Sequence, residues 1–405
     1  MKIAILSSGD LAEMKGIMNY VHEKAKHIKS VSGSEKIECD VYIIRQVTTT
    51  LFRLLTSHSF TKSFRTLKQE DTTIYDNVIY HNLWHSYGVL SNIVDTKYRK
   101  IPLNNKNISK FSKLLKSYDI IASHTLEGHY LAYKTKLTYN VPFVATWHGS
   151  DINVDPYKNK VAEAFTSTIL ANADMNLFVS KALLEASQKL SNTKNKDVIY
   201  TGPADLFKRA TDSDIKKYRK QNGADCQQII IGFTGNLIGI KNVLIIPEIL
   251  KKVNEKLNNQ FKVTFWIAGN GNLQSQLEDE LKQNNIDYKF FGKLMPYDIP
   301  MFMSCLQILL LPSLNEGLPL VTLEAKKCGV NVVASNVGGI KECIGIENCF
   351  DLGEDFSNNM ADRIIEIITT NEKPTPLEKE FSWDSAIEKE INYYKQILNN
   401  TKNGE

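Results

Sequence analysis

Short apolar segments alternate with helix-length amphipathic segments along almost the whole chain, and no other feature restricts the possible folds as strongly. The predicted strands of the first half are Lys2–Leu6, Asp40–Arg45, Asp119–Ser123, Pro142–Trp147, Met175–Val179 and Asp197–Tyr200. Those of the second half are Ile229–Phe233, Lys262–Ala268, Tyr288–Phe291, Ile308–Leu311 and Asn331–Ala334. Apolar strands separated by helices are typical of parallel sheets that are covered by helices on both faces. We therefore expect an α/β protein.

The alternation is interrupted once, around Thr201–Asp212, where Gly202 and Pro203 precede charged residues, and then it restarts. A chain of 405 residues is long enough for two domains. We predict two Rossmann-like, doubly wound parallel-sheet domains, residues 1–205 and 206–380, followed by a helix at 381–400 that crosses back to the first domain. Because ligands of such sheets bind outside the carboxyl ends of the strands, we expect the site in a cleft between the domains.

Charge is distributed unevenly between the two predicted domains. The formal net charge is +7 for residues 1–205 and −3 for the remainder, and basic side chains concentrate in 41–69 and 97–116. This asymmetry suggests that the first domain meets an anionic substrate or a membrane surface, although a solvated lysine-rich surface explains it equally well. Residues 46–76 fit either an amphipathic helix at an anionic membrane or an ordinary helix that faces the core.

Several classes of protein are excluded by composition. No apolar run approaches the roughly 18 residues that span a bilayer, and the N-terminal strand is too short for a signal peptide. The six cysteines include no CxxC pair, which argues against a disulfide scaffold or a zinc ribbon. We expect a cytoplasmic protein without a nucleic-acid partner, and contact with the inner face of the membrane stays open.

The most informative segment is Pro312–Ala325, which begins where the strand Ile308–Leu311 ends. It reads as a loop with Glu316, a Gly-Leu-Pro turn, and a helix that starts near Leu320, with Pro319 in the first helical turn. The backbone N–H groups of Gly317, Leu318, Leu320 and Val321 would form an anion pocket at the start of that helix. Glu324 lies about one turn inside, and a carboxylate pair in this arrangement can bind sugar hydroxyls while the amides hold a diphosphate. The alternative is a helix whose positive end is stabilised by a glutamate.

A second informative segment is Thr146–Asp151, in which His148 follows a buried strand. A histidine at the carboxyl end of a strand can donate a hydrogen bond to a ligand. The alternative is a structural histidine that pairs with Asp151 or with a backbone carbonyl.

Together these segments resemble glycosyltransferase family 4, the retaining enzymes of the GT-B fold that use nucleotide-sugar donors, and the match runs in order along nearly the whole chain. The family pattern E-G-x-P-x-x-x-x-E-A falls on Glu316, Gly317, Pro319 and Glu324. The resemblance implies that Glu316 contacts the donor sugar and that Glu324 binds the ribose hydroxyls.

The segment 235–242 resembles the loop of the family that binds the donor diphosphate, and Lys241 falls on its lysine. Asn236 stands where the family has an arginine, so one positive charge is missing from the expected clamp on the leaving group. Gly235, Gly269 and Gly292 match glycines of the donor-domain loops, although tight turns between strands and helices require glycine in any case.

In the first domain, the resemblance gives His148 a place within reach of the donor sugar and its β-phosphate, and it gives His124 a place near the acceptor. Gly16 falls on the family's loop after the first strand, where its backbone would meet the donor phosphate or the acceptor. Asp10 and Glu13, in the same loop, are candidates for contacting an acceptor hydroxyl.

The resemblance implies transfer with retention of anomeric configuration, without an obligatory metal or another cofactor. His148, Glu316 and Lys241 are then the catalytic candidates, a UDP-sugar is the expected donor, and a saccharide or lipid-linked saccharide of cell-envelope polysaccharide synthesis is the expected acceptor. Two other functions stay open, a GT-B nucleotide-sugar epimerase and a catalytically silent partner subunit. A dehydrogenase is rejected because the loop after Lys2–Leu6 lacks G-x-G-x-x-G.

Overall fold

The computed structural model describes residues 1–9, 16–31, 36–48, 70–87, 103–225, 227–258 and 260–403. The chain divides into two compact units. Unit 1 comprises Met1–Tyr200 and Trp383–Glu405, and unit 2 comprises Thr201–Ser382. For comparison, the sequence placed these boundaries after residue 205 and at residue 381. Each unit contains its own sheet, as two doubly wound domains require.

The strands of unit 1 are β1 (Lys2–Ser8), β2 (Glu38–Thr48), β3 (Thr72–Tyr75), β4 (Val78–Tyr87), β5 (Ile120–His124), β6 (Phe143–Trp147), β7 (Met175–Phe178) and β8 (Lys196–Val198). Its helices up to residue 200 are α1 (Ile17–Val31), α2 (Asn105–Leu115), α3 (Leu126–Tyr139), α4 (Ser150–Asn153), α5 (Lys160–Asn172) and α6 (Lys181–Ser187). Among the described residues the strand order is β3-β4-β2-β1-β5-β6-β7-β8. All neighbours are parallel except β3 and β4, which form an antiparallel hairpin at one edge.

The helix predicted for residues 46–76 is contradicted at both ends of that segment. Where the structure describes this segment, residues 46–48 end β2 and Thr72–Tyr75 form β3, while 49–69 lie outside the described residues. The sequence did not predict β3 and β4 because their polar and aromatic residues interrupt the apolar runs that mark the other strands. The turn between them uses Asp76 and Asn77 with positive φ, a conformation that these two residue types tolerate.

The strands of unit 2 are β9 (Ile229–Thr234), β10 (Val263–Ala268), β11 (Tyr288–Gly292), β12 (Ile308–Leu311), β13 (Asn331–Ser335) and β14 (Cys349–Phe350). Its helices are α7 (Asp212–Gln221), α8 (Ile246–Leu257), α9 (Gln274–Gln283), α10 (Ile299–Ser304), α11 (Leu320–Lys327), α12 (Ile340–Ile344) and α13 (Phe356–Thr370). In the described part of this unit all the strands are parallel, in the order β11-β10-β9-β12-β13-β14. The central strand β9 packs its apolar residues against α8 and α13 in one buried core. The predicted parallel sheet is confirmed here.

The last helix, α14 (Trp383–Asn403), belongs to unit 1 and begins two residues later than predicted. Its Trp383 stacks on His27 of α1 at 5.7 Å between ring centroids. Its Glu390 forms an ion pair with Lys24 of α1. Helix α14 therefore completes unit 1 through both ring and charge contacts. None of the described helices is long and apolar enough to cross a bilayer.

Candidate active site

In unit 2 the candidate donor residues lie where β9 and β12 end. These strands are neighbours in a parallel sheet, so their carboxyl ends lie at the same edge. The loops that follow them are joined directly, because the Leu314 N–H donates to the Ile240 carbonyl oxygen at 2.8 Å. Lys241 and Glu316, 75 positions apart in the sequence, are thereby brought into contact.

Lys241 and Glu316 form an ion pair with 2.6 Å between Nζ and Oε1. The two side chains are 23% and 12% exposed, so the pair is sheltered yet accessible. Lys241 ends a 3₁₀ turn, and the next residue, Asn242, has a left-handed φ of 50° that redirects the chain into α8. An ammonium has three N–H donors, so Lys241 can hold Glu316 and an anion at the same time.

The start of α11 provides backbone donors beside this pair. Among the described residues, the N–H groups of Gly317, Leu318, Leu320 and Val321 have no acceptor. Helix α11 begins at Leu320 as predicted, but Pro319 is its N-cap rather than a residue of the first turn. The Thr322 hydroxyl and N–H both bond the Pro319 carbonyl, which fixes the turn. Free amides at a helix start attract anions, as the sequence predicted for this position.

Glu324 lies one turn into α11 and is half-buried. Burial raises the pKa of its carboxyl to about 7, from an ordinary value of 4.5. No hydrogen bond to this carboxyl forms among the described residues, so it is available to a ligand. A carboxyl that is costly to bury and has no protein partner is typical of a binding site rather than of a structural helix cap.

The glycines around the site are required by close backbone packing. A Cβ on Gly338, whose φ is 55°, would lie 1.9 Å from the Glu316 carbonyl oxygen. A Cβ on Gly269 would lie 1.8 Å from the Gly235 carbonyl oxygen, and the Gly269 N–H donates to the Gly292 carbonyl at 2.7 Å. The loops after neighbouring strands therefore stack backbone on backbone. The half-buried Asn236 side chain forms no hydrogen bond among the described residues.

In unit 1, His148 follows β6 directly and is half-buried. The Asp151 carboxylate accepts from the backbone N–H groups of His148 at 3.0 Å and Gly149 at 2.7 Å. Burial raises the pKa of Asp151 to about 6. Asp151 thus holds the backbone of the turn and not the imidazole, which stays available for other contacts.

The imidazole of His148 lies at the end of a buried polar chain. Its Nε2 is 3.0 Å from Nδ1 of His124, and Nε2 of His124 is 3.2 Å from the Lys24 ammonium. Lys24 in turn donates to Glu390 at 2.5 Å. Burial, together with the Lys24 charge, lowers the pKa of His148 to about 3, and the same two causes lower the pKa of His124. His124, predicted to lie on the acceptor side, is fully buried behind His148.

Sequence reasoning missed Lys24 and Glu390. Each is a charged residue within the apolar face of an amphipathic helix, Lys24 between Val21 and Ile28 on α1, and Glu390 beside Ile391 on α14. A lysine and a glutamate on the apolar faces of two predicted helices could have indicated this ion pair in the sequence, because such charges are rarely fully buried unless they are paired.

The remaining predicted residues belong to the loop before α1 and to the basic segments. Asp10 and Glu13 lie outside the described residues, as do 49–69 and 97–102 of the basic segments. Gly16 is exposed, has a φ of 51°, and immediately precedes α1. The other bases of the second segment, Lys106, Lys110, Lys113 and Lys116, are exposed along α2 or at its end, opposite its buried face.

A cavity of about 470 Å³ lies in unit 2 but away from these residues. Arg209, Gln307 and Asn331 are among its lining residues, which places it where β12 and β13 begin. Because ligands of parallel sheets bind at the opposite, carboxyl edge, this cavity is not assigned to the candidate site. In the described part of the chain, no three His, Cys, Asp or Glu side chains are grouped closely enough to hold a metal ion.

Both units match models of known families. Residues 228–370 match the family described as glycosyl transferases group 1, and residues 70–202 match glycosyltransferase family 4. An uncharacterized glycosyltransferase of Methanocaldococcus jannaschii is 27% identical over 300 residues, which cover 69% of this chain and 75% of the relative.

Two further proteins add to this comparison. The UDP-Gal:alpha-D-GlcNAc-diphosphoundecaprenol alpha-1,3-galactosyltransferase of Escherichia coli is 29% identical over 282 residues, which are 64% of this chain and 68% of the relative. Among solved structures, Anabaena HepE in complex with UDP and glucose superposes with a TM-score of 0.66 at 18% identity and covers 99% of each chain. The superposition on HepE establishes the GT-B fold, and the two family models identify the chain as a glycosyltransferase.

Proposed function

We propose that this chain, a group 1 glycosyltransferase of the family 4 type with the GT-B fold, transfers a sugar from a UDP-sugar to a saccharide or lipid-linked saccharide acceptor, with retention of anomeric configuration. The observation that carries the proposal is the set of groups at the start of α11. Four unbonded amides and an unpartnered carboxyl lie in the loop after β12 and the first turns of α11, and a sheltered cation, Lys241 of the loop after β9, is paired with Glu316 beside them. This set fits the diphosphate, sugar and ribose of a nucleotide-sugar.

Lys241 and the amides at 317–321 stabilise the leaving group. Transfer breaks the bond between the anomeric carbon and the β-phosphate oxygen, so negative charge grows on that oxygen. Donors that are already oriented toward such a developing charge usually supply most of the rate enhancement of an enzyme. The ion pair with Glu316 holds Lys241 in position before the donor arrives. Glu316 then accepts hydrogen bonds from the sugar, and Glu324 accepts them from the ribose.

Retention follows in this proposal from a substitution on one face of the sugar. The acceptor oxygen forms the new bond on the face from which UDP departs, and the departing β-phosphate oxygen takes the acceptor's proton. No protein nucleophile and no metal is needed for this balance, and the neutral His148 serves as a hydrogen-bond donor to substrate. NMR of the product decides the stereochemistry, because a product of inverted configuration would refute the same-face step.

Two relatives support the choice of donor and acceptor. The E. coli relative is named for UDP-galactose and for an acceptor on diphosphoundecaprenol, and HepE was solved with UDP and glucose. The exposed lysines of α2 fit the anionic surface of a membrane that carries such an acceptor. Flotation with anionic vesicles at low salt tests this contact, and a protein that stays at the bottom of the gradient would exclude it.

The function itself is tested by incubating the chain with a panel of UDP-sugars and a GlcNAc-diphospholipid in the presence of EDTA. We expect a glycosylated lipid and one equivalent of UDP, and we expect Lys241→Ala to lose both. The matched variant Lys251→Ala changes an exposed lysine of α8 and should retain them. A 2-epimer released without acceptor would indicate an epimerase. The absence of any turnover in the presence of bound nucleotide would indicate a silent partner subunit.

A further inference from the structure

A chain of buried polar side chains links the last helix of unit 1 to His148. The Tyr394 hydroxyl donates to Glu390 at 2.5 Å, and Glu390 also accepts from Lys24 at 2.5 Å. Lys24 contacts His124, which contacts His148. Lys24 and His124 are 0% exposed and Glu390 is 1% exposed, so water does not compete for these bonds.

The chemistry of these groups fixes the direction of the hydrogen bonds. An ammonium can only donate, so Nε2 of His124 must accept and carries no proton. The proton of a neutral His124 is therefore on Nδ1, and it is donated to Nε2 of His148. His148, which is also neutral, then carries its own proton on Nδ1. Among the described residues no group accepts from this Nδ1–H, so it is free to bind a substrate.

This direction requires the ammonium form of Lys24, for which Glu390 supplies the buried counter-charge. The Glu390 carboxylate lies 2.5 Å from the Lys24 ammonium and also accepts from the Tyr394 hydroxyl, so both charges of the buried pair are hydrogen-bonded. The Tyr20 ring packs edge-on against His148 and Trp383, with 4.7 Å and 5.1 Å between ring centroids, and so covers these polar side chains.

We propose, on the basis of the function proposed above, that Lys24 and Glu390 are positioning residues for transfer: the ammonium fixes both histidines in the tautomer with the proton on Nδ1, and His148 thereby presents a hydrogen-bond donor to the substrate. Without Lys24, either nitrogen of His124 can carry the proton. If the direction of the hydrogen bond between His124 and His148 is reversed, Nδ1 of His148 becomes an acceptor. The ion pair need not add to stability, because apolar residues of similar volume often replace a buried pair without loss.

The tautomer is measured directly by NMR of the full chain with ¹⁵N-labelled histidine, with His148→Gln used to assign the His148 signals. We expect wild type to show a protonated Nδ1 and a bare Nε2 on both His124 and His148. In Lys24→Met and Glu390→Gln we expect mixed tautomers. Lys26→Met is the matched control, because Lys26 is an ion-paired lysine of α1 that contacts Asp76, and it should leave the pattern unchanged. An unchanged His148 tautomer in folded Lys24→Met would overturn the proposal.

The double variant Lys24→Met with Glu390→Leu removes both charges together, so it stays informative if a single variant fails to fold. In the UDP-sugar assay we expect kcat to fall about 100-fold in the charge variants, as for the loss of one positioned donor, while the KM for the donor changes less than about threefold. Mixed tautomers with normal kcat would overturn the positioning role.

Failure of the proposed function is separate from failure of this inference. A wild-type chain that binds UDP but transfers no sugar would refute the function. The NMR pattern of the same sample would still decide whether Lys24 sets the tautomer.

Discussion

The substitution Glu324→Gln is expected to weaken UDP binding but to raise the free energy of unfolding, and the size of the second effect follows from the structure. Burial gives the Glu324 carboxyl a pKa of about 7 instead of 4.5, so the folded state carries a penalty whenever the carboxyl must ionise. Since one pKa unit corresponds to ~1.4 kcal/mol, the penalty reaches at most about 3 kcal/mol at pH 7 and above. A neutral glutamine of the same shape removes it, so the variant is expected to be more stable than wild type.

The sign of the pH dependence is fixed by the raised pKa. Below pH 4.5 the carboxyl is protonated in both the folded and the unfolded chain, and Glu324 costs nothing. As pH rises toward 7, the unfolded chain releases the proton while the folded chain keeps it, so the free energy of unfolding of wild type falls. The difference between Glu324→Gln and wild type should therefore be small at pH 5 and largest at pH 8.

Calorimetric unfolding at pH 5 and pH 8 measures this difference. For a domain of this size ~1 kcal/mol shifts Tm by ~2–4 °C, so we expect Tm to rise at pH 8 by up to roughly 6–12 °C. Glu255→Gln, at an exposed position of α8, is the matched control and should shift nothing. UDP binding should weaken in Glu324→Gln because an amide accepts fewer hydrogen bonds from the ribose. A variant that is less stable at pH 8, or equally stabilised at both pH values, would show that the buried charge of Glu324 is not the cause.

Three further predictions concern Lys241 and Gly338 of unit 2 and His148 of unit 1. Lys241→Ala should weaken UDP binding by ~10-fold to ~100-fold in a calorimetric titration, because one charged hydrogen bond to UDP is lost. The control Lys251→Ala should bind UDP like wild type. Gly338→Ala should weaken UDP binding and lower Tm because its Cβ would meet the Glu316 carbonyl. The control is Gly223→Ala, because Gly223 has a φ of 82° but open space around it, so this change should cost only the ~1–2 kcal/mol of a left-handed backbone. Equal losses of Tm in the two variants would contradict the close packing at Gly338. His148 has a pKa of about 3 and should stay neutral from pH 5 to 9 in an NMR titration, so a midpoint near 6.5 would contradict its buried setting.

Much of the fold was predictable because its central strands are continuously apolar. Ile308–Leu311 was predicted with its observed bounds, and α11 begins at the predicted Leu320. The hairpin β3 and β4 was not predicted, because its pairing depends on an edge position rather than on apolar runs. Gly235, Gly269 and Gly292 were assigned from resemblance, and the structure adds the reason for Gly269, which is the close approach of its backbone to the Gly235 carbonyl.

The candidate site was predictable only in part. Glu316 and Lys241 were found as separate motifs, but their contact follows from the adjacency of β9 and β12, which the sequence does not state. The pairing of Lys24 with Glu390 spans 366 positions and depends on how α14 packs on α1. Charges on apolar helix faces mark such residues as unusual, but only the packing identifies their partners.

The proposed transfer requires that a nucleoside diphosphate is bound by Lys241, Glu324 and the amides at the start of α11. The most direct test is calorimetric titration of UDP, GDP and ADP into the chain, with EDTA and then with magnesium. We expect UDP to bind with EDTA present, and we expect binding to weaken strongly in Lys241→Ala and Glu324→Gln but not in Lys251→Ala. A chain that binds none of the three, that binds only with magnesium, or that binds UDP undiminished in both site variants would contradict this assignment of the donor site.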